Sequence, residues 1–474
     1  MSKFLLSNTV LPVTEIKQSN GGKVPTHRPD APRGFFSVPR KWFHTLLDAW
    51  ATDYASVYKL LFTLVLSANI IAMATILPGK SAHSALLPCA NAAIANLTAA
   101  IFIRQPYTVN FIFHSFWRIP RSTPLWLRHQ AAKVYEYGGI HSGASCSSLI
   151  WFSLFAGYLA RDAEHSSLAV LTLVYVLLWV LICIVVFALP QMRRRFHNLF
   201  EQWHRFGGWF AIAVFWVAFV LFVRDEVKKS GSGSLGSRLV RLPIFWLLLY
   251  LSITAIWPYL LLRKVRVVRT EALSDRAIRV YFDPHERIPP QHGAGISKSP
   301  LTEWHGFAAI NDFDNTEGGS SNMIIAKAGD WTADAIENPP PYYYMKGMHM
   351  AGVGSMAKIF HRVVYMCTGS GAGPLLAALT LLDDVSLRII WSAPDPQRVF
   401  GDKICNTLTR WDPKAIIWDT KANGRPDLIE LATQVYRESD AEALFFISNR
   451  SLTRSVVGEL RRRGMAAYAP VFDS

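Results

Sequence analysis

The residues best suited to do chemistry are the run Thr368-Gly369-Ser370-Gly371-Ala372-Gly373-Pro374. An apolar stretch ending at Cys367 feeds it, and an apolar helical pattern opens at Pro374. Glycines let a backbone approach a pyrophosphate closely, and a helix N-terminus offers free N–H groups and a partial positive charge. Proline suits a first helical turn, because the N–H it lacks has no partner there anyway. The spacing is G-S-G-A-G-P and not the G-x-G-x-x-G dinucleotide fingerprint. Alone, the run specifies a strand-to-helix turn that can face a phosphate.

The elements around the run make that chemistry plausible. From residue 361 onward strand patterns alternate with helix patterns: His361 to Cys367, Pro374 to Leu382, Leu387 to Ser392, Gly401 to Leu408, Ala415 to Trp418, Asp427 to Arg437, Ala443 to Ser448 and Leu452 to Arg463. Such alternation predicts a parallel α/β sheet with crossover helices. Residues 263–360 read instead as short strands with turns, at Lys264 to Arg269, Ala277 to Phe282, Trp304 to Ile310 and Met323 to Lys327.

Before residue 263 the texture is that of a membrane protein. A helix needs about 20 apolar residues to cross the hydrocarbon core. Six runs meet or approach this: Val57 to Leu77, Leu86 to Ile103, Gly139 to Ala160, Leu168 to Leu189, Gly207 to Val223 and Leu242 to Leu262. The 474-residue chain is 51% hydrophobic with a formal charge of +15. Its basic residues flank the apolar runs, at Arg193 to Arg195, at Arg263 to Arg266, and at Arg118, Arg121, Arg128 and Lys133. Cytoplasmic loops collect such residues, which puts both termini in the cytosol, at the plasma membrane or an endomembrane, with the lipid bilayer as a partner and no nucleic acid. The segment KKSGSGSLGSR after residue 227 dissents from the charge rule and reads as a flexible loop, and Gln105 to Tyr137 as an interfacial segment on the cytosolic side. Residues 1–44 read as a loose cytosolic tail without a secretory signal, 45–262 as the six-span domain, 263–360 as a β-barrel-like domain and 361–474 as the α/β domain. The five cysteines share no CxxC spacing, so neither a zinc site nor a disulfide framework is expected. The sequon at Asn96 falls inside a span and that at Asn449 in the cytosolic part, so neither is expected to carry sugar.

A set of short motifs carries a family resemblance. Thr302-Glu303-Trp304-His305-Gly306-Phe307-Ala308 resembles the HPF-S/T flavin motif of the NADPH-oxidase and ferric-reductase branch of the ferredoxin–NADP reductase superfamily. His305 and Phe307 match, whereas Gly306 replaces the proline and Ala308 the hydroxyl residue. Gly329-Asp330-Trp331-Thr332, the glycine run and Gly424-Arg425-Pro426 resemble further stretches of that branch, while Ile447-Ser448-Asn449 stands where its CGP would be. Together with a terminal Phe472-Asp473-Ser474, the set resembles fungal TmpA-type integral membrane proteins, related modules of which are fused to some fungal adenylate-forming enzymes.

The resemblance implies an FAD-binding barrel and an NAD(P)-binding α/β domain. His305, Phe307 and Ala308 would meet the flavin and Phe472 would stack on its ring. The run Thr368 to Pro374, with Gly424, Arg425 and Pro426, would hold the nicotinamide nucleotide, and Arg398 a 2′-phosphate of NADP(H). Electrons would pass from NADPH to flavin and on to an unidentified acceptor, in a setting of developmental signalling. The same branch carries haem-binding histidines in pairs fourteen positions apart. Here His141 and His204 begin the third and fifth spans, but Phe155 and Ala218 stand fourteen positions on. A two-haem wire is therefore not expected. One haem b held by His141 and His204 stays open, with the weight toward none and the nearby glycines serving helix packing. His83, His165 and His197 read as boundary residues. A non-catalytic flavin or nucleotide sensor is the second reading, favoured by Ala308 and the missing CGP. A transporter is disfavoured by the few ionisable residues in the spans.

Overall fold

The computed structural model describes residues 56–162, 167–231, 233–283, 285–286, 288–311 and 321–470. The expected N-terminal tail, His165 and Phe472 lie outside the described residues. The first half is helical: α1 (Val57–Ile76), α2 (Ala82–Phe102), α3 (Pro106–Trp117), α4 (Leu125–Ala131), α5 (Gly138–Arg161), α6 (Leu168–Ala188), α7 (Pro190–Arg195), α8 (His197–Gln202), α9 (Gly208–Ser230), α10 (Leu235–Arg241) and α11 (Pro243–Leu260). A 3₁₀ turn (Ala132–Tyr137) leads into α5, and a π-helical turn (Trp203–Gly207) joins α8 to α9. Among the described residues, six helical stretches, containing α1, α2, α5, α6, α9 and α11, are long and apolar enough to cross a membrane.

Local chemistry sets where these helices begin and how they meet. Ser56, Ser81 and Ser167 cap α1, α2 and α6 by accepting from the N–H of Lys59, Ser84 and Val170. Helix α5 lies backbone to backbone on α1. A Cβ on Gly139 would sit 2.0 Å from the Tyr58 carbonyl oxygen, and one on Gly143 2.9 Å from that of Phe62. This is the small-residue packing expected as the alternative to a porphyrin slot. Mid-bundle, Asn69 and Asn96 exchange side-chain amide bonds of 3.0 and 2.7 Å, and Trp151 Nε1 donates to Asn69 Oδ1 at 2.8 Å. The sequon asparagine is thus engaged in an interhelical pair.

Between α2 and α5 the expected interfacial segment is helical and turned toward protein. Its apolar side chains Val109, Phe113, Ala131 and Ala132 share one buried core with the α/β sheet. Its polar side chains reach across as well. Asn110 donates to the His349 carbonyl and accepts from the Ala351 N–H, at 2.7 and 2.9 Å. Arg121 donates to the Lys358 carbonyl and pairs with Asp384. Arg128 pairs with Glu442 at 2.9 Å, their side chains only 6% and 10% exposed, and also donates to the Ile359 carbonyl. These elements form a collar that ties the helical bundle to both sheets.

The second half holds two sheets. The first is antiparallel and nearly closed into a barrel, in the order β4-β3-β7-β1-β2-β6-β5, with β8 on β3. Its strands are β1 (Arg263–Ser274), β2 (Ala277–Phe282), β3 (His292–Ser297), β4 (His305–Ala308), β5 (Ile310–Asn311), β6 (Ser321–Ala326), β7 (Tyr342–Met345) and β8 (Met350–Ala351), and α12 (Asp330–Glu337) precedes β7. The second sheet is parallel: β9 (Arg362–Thr368), β10 (Ser386–Ala393), β11 (Ile416–Asp419), β12 (Ala443–Ile447) and β13 (Ala467–Tyr468), ordered β11-β10-β9-β12-β13. Its helices are α13 (Ala372–Leu379), α14 (Pro396–Phe400), α15 (Asp402–Trp411), α16 (Thr420–Asn423), α17 (Leu428–Glu438) and α18 (Arg450–Arg462). One expectation is corrected: most of KKSGSGSLGSR is helical, because α9 runs on to Ser230 and Ser234 caps α10.

Burial alone would raise the Glu442 carboxyl, but Arg128 and the His361 N–H outweigh it and hold the group below its usual range. A lowered carboxylate contributes stability above its unfolded pKa and loses it as pH falls through the folded value. Glu442→Gln should therefore cost about 3 kcal/mol at neutral pH. It should also flatten the fall of the thermal midpoint below about pH 4.5. Thermal scans of both proteins across that range check it, and an unchanged acid limb would contradict it.

Candidate functional site

The order of the parallel sheet fixes where a ligand can lie. Strands β10 and β11 extend one way from β9, and β12 and β13 the other, so the chain reverses direction between β9 and β12. In open α/β sheets the crevice outside the carboxyl ends at that switch point receives the ligand. The glycine run occupies this place, directly after β9. Gly369 has φ +51°, a left-handed conformation that glycine adopts readily. Gly371 lies against β12, where a Cβ would come within 2.8 Å of the Ile447 carbonyl oxygen. Trp391 Nε1 donates to the Gly369 carbonyl at 2.9 Å, and Thr368 Oγ1 lies 2.6 Å from Ser448 Oγ. The helix opens at Ala372 rather than Pro374, which leaves the proline inside the first turn.

Arg398 stands on α14, beyond the end of β10. Its guanidinium is largely exposed and pairs with Asp395 at 3.0 Å, and Lys421 approaches the same carboxylate oxygen at 3.3 Å. Asp395 itself has φ +46°, and its N–H donates to Asp419. Gly424, Arg425 and Pro426 follow α16 on the same side of the sheet, with Trp418 Nε1 donating to the Gly424 carbonyl. Arg398 and Lys421, both on Asp395, thus stand where a nucleotide's ribose end would lie.

The flavin-type motif lies on β4. Trp331 stacks on His305, ring centres 4.1 Å apart and planes 22° apart, and reaches Phe307 at 6.0 Å and Tyr343 at 6.1 Å. Three polar atoms of this cluster are buried without a hydrogen-bond partner among the described residues: His305 Nε2, Trp331 Nε1 and Tyr343 Oη. Glu303 is 3.8 Å from His305 Nε2, beyond hydrogen-bond reach. Burial lowers the His305 imidazole's pKa against the pull of Glu303. Unsatisfied buried groups call for a partner, and three around one aromatic stack suit a planar heteroaromatic ligand. Ala308, paired with Gly293, has no hydroxyl to offer. Helix α13 packs on β4 and β5, and Gln291 donates its N–H to the Ala377 carbonyl of α13. The glycine run and the aromatic cluster therefore share one seam.

The helical bundle also reaches this seam. Arg205, in the π-helical turn, donates to the Thr302 carbonyl, three residues before His305. Lys346, over the Trp304 ring at 4.5 Å, is pushed down to about 8 by burial and then by Arg205. The neighbouring His204 faces His141 with ring centres 6.2 Å apart, and His141 Nδ1 bonds the Ala100 carbonyl at 2.8 Å. His141 and His204 would be the residues to hold a haem, whereas Gly139 and Gly143 serve helix packing. Among the described residues no group of three or more His, Cys, Asp or Glu side chains could hold a metal ion. Trp331, Tyr343, Trp391, Ser448 and Asp395 were not singled out from the sequence as site residues. The tryptophan in GDWT carried a signal by its place in a matched motif, and Ser448 by standing where the CGP would be.

Comparisons with known proteins align with these parts. Residues 353–474 match the family described as Adenylate-forming reductase 03009, C-terminal domain. Two curated relatives come from Coprinopsis cinerea. Adenylate-forming reductase 03009 is 38% identical over 424 residues, covering 88% of this chain and 40% of the relative. Adenylate-forming reductase 06235 is 35% identical over 442 residues, covering 92% and 42%. The chain thus spans less than half the length of these relatives. Solved structures with some likeness include a ferredoxin NADP+ reductase from Neisseria gonorrhoeae with bound FAD and NADP, at TM-score 0.36 and 11% identity over 44% of this chain and 98% of that one. A flavohemoglobin from Malassezia yamatoensis has TM-score 0.41 and 12% identity over 82% of this chain and 99% of that one.

Two glycines of the run should respond oppositely to substitution. Gly371→Val must push against β12 and should lower stability by about 1–3 kcal/mol. Gly373→Ala, whose Cβ would come no closer than 4.0 Å to Ile324, should leave the thermal midpoint unchanged or slightly raised. Equal midpoints for the two variants would contradict the close approach at β12.

Proposed function

We propose that the chain is a membrane-bound, NAD(P)H-dependent FAD oxidoreductase that passes electrons from NADPH to flavin and on to a separate acceptor. The observation that supports it most is the shared seam: the helix opened by the glycine run packs on the strand carrying His305 and Phe307. Six apolar helices and their flanking basic residues support a bilayer setting with both termini cytosolic. The curated relatives' names join reduction to adenylate formation, and the portion they share with this chain is proposed to be the reducing part. The resemblance to TmpA-type proteins adds a setting in fungal developmental signalling.

The chain's own residues bind and orient. The N–H groups of the turn Gly369–Gly371 and of the first turn of α13 would take the nucleotide's pyrophosphate, with Gly371 keeping the turn tight on β12. Thr368 and Ser448 hold the two strand ends together beneath it. Arg398 would take a 2′-phosphate once it leaves Asp395, with Lys421 able to remain on the acid. His305, Trp331 and Tyr343 offer hydrogen bonds to the edge of a flavin, and Phe472 is a proposed stacking partner. Bound FAD would supply hydride acceptance and one-electron release, which amino-acid side chains do not provide. The lack of a hydroxyl at Ala308, and the Trp331 ring already on His305, favour a second reading, a flavin- or nucleotide-binding sensor without turnover.

Visible spectra of the full chain in detergent separate the two. The oxidoreductase shows an oxidised flavin spectrum that bleaches when NADPH is added without oxygen, whereas the sensor keeps its flavin oxidised. A colourless protein contradicts the oxidoreductase and leaves only a sensor that binds the nucleotide without flavin. A Soret band lost in His141→Ala would add a single haem held by His141 and His204. In the same assay Arg398→Ala should raise the KM for NADPH about tenfold relative to NADH, a loss of about 1.4 kcal/mol. An unchanged coenzyme preference would remove Arg398 from the site.

A further inference from the structure

The helical bundle holds a cleft that the proposed electron path does not use. Five helices line it: α2 with Leu86, α5 with Phe155, α6 with Val170, α9 with Ala218 and Phe222, and α11 with Ile244. Every side chain along it is apolar. About 530 Å³ within it is free of protein atoms, part of this open to the surroundings. Phe155 and Ala218 lie fourteen residues beyond His141 and His204, about 21 Å along a helix. The cleft therefore belongs to the half of the bundle remote from the sheets. Water needs several polar partners to stay in such a space, so the cleft suits hydrocarbon instead.

Polar groups stand at its outer end, on the helix faces that line it. Asp225 is one turn beyond Phe222 and two turns beyond Ala218 on α9. His83 is one turn before Leu86 on α2, and Asp162 two turns beyond Phe155 where α5 ends. His83 Nδ1 and Asp162 Oδ2 are 2.9 Å apart. Arg224 donates to Asp225 Oδ1 at 3.1 Å, and the Ser167 hydroxyl, at the cap of α6, also serves this carboxylate. Asp225 Oδ2 is buried without a hydrogen-bond partner among the described residues. A buried carboxylate oxygen calls for a donor. Asp162 and Asp225 disfavour an anionic head group, and Arg224 with Lys228, one turn beyond Asp225, disfavours a cationic one. A neutral hydroxyl meets both limits and supplies the donor.

We infer that this cleft binds a neutral single-chain lipid alcohol, with its chain among Phe155, Ala218 and Phe222 and its hydroxyl donating to Asp225 Oδ2. One chain suits a cleft bounded by five helices better than the two chains of a phospholipid, whose phosphate would also meet the carboxylates. The inference rests on the membrane reading, since a bilayer is what delivers such a ligand. At about 21 Å from His141 and His204 the alcohol is a bound ligand of the bundle and not the electron acceptor. It would fill the space between α5 and α9, the two helices that carry those histidines toward the sheets.

The test uses the full chain. Alkaline carbonate extraction comes first. Release from membranes would sink the membrane reading together with this one, whereas retention leaves the site to be judged alone. Binding of tritiated hexadecanol to the detergent-solubilised protein is then measured, with hexadecyl methyl ether, hexadecylamine, palmitate and phosphatidylcholine as competitors. The alcohol should bind saturably and raise the thermal midpoint. The ether has the same chain and no O–H to donate, and it should compete about tenfold more weakly. The amine, palmitate and phosphatidylcholine should also compete more weakly than unlabelled hexadecanol. Ala218→Leu, which fills the cleft with hydrocarbon of its own, should weaken binding about tenfold without lowering the protein's own midpoint. Should that variant misfold, the competition series on the unaltered chain still decides. No saturable binding, an ether or an ionised lipid that competes as well as the alcohol, or full binding by a folded Ala218→Leu protein would overturn the site.

Discussion

A buried ion pair between Arg128 and Glu442 holds the account together, because it lies where the helical bundle and the parallel sheet become one body. Desolvating two charges offsets much of their attraction, so such a pair adds little net stability over a well-packed apolar substitute. Its value is directional. The pair, with Asn110 at β8 and Arg121 at Asp384, sets one register for the collar on both sheets. The collar's apolar side chains share the sheet's core, so changing the register would open that core.

With the register set, the remaining geometry follows. The helix opened at the switch point of the parallel sheet packs on β4, and the π-helical turn bearing His204 meets the turn before that strand through Arg205 and Thr302. The glycine turn, the aromatic cluster with unsatisfied polar atoms and the turn bearing His204 are thereby each joined to β4 or to the residues just before it. Each has a bland use as well: glycines pack, aromatic rings fill space, and histidines hydrogen-bond. Their meeting around one strand is what supports the proposed electron transfer, since packing alone does not require these chemistries to meet.

The six apolar helices were legible because an apolar run of about 20 residues suffices to specify one, and all six appear as helices among the described residues. The parallel sheet was legible because strand and helix periods alternate clearly. Strand β3 was missed because His292-Gly293-Ala294-Gly295 reads as a turn, and β7 because Pro339, Pro340 and Pro341 precede it. The direction the collar faces depends on partners more than two hundred residues away, and no local pattern encodes that. The glycine run was visible from its composition, but its holders Trp391 and Ser448 were not, since only the folded sheet brings them to it.

Transfer of hydrogen from the nicotinamide C4 position tests the central claim most directly. Rapid mixing of the flavin-bearing protein with NADPH and with C4-deuterated NADPH, without oxygen, measures the rate of flavin reduction. The account predicts slower reduction by the deuterated coenzyme and full recovery of oxidised NADP+. Coenzyme binding with no reduction, or flavin reduction that leaves the nicotinamide unoxidised, would contradict it.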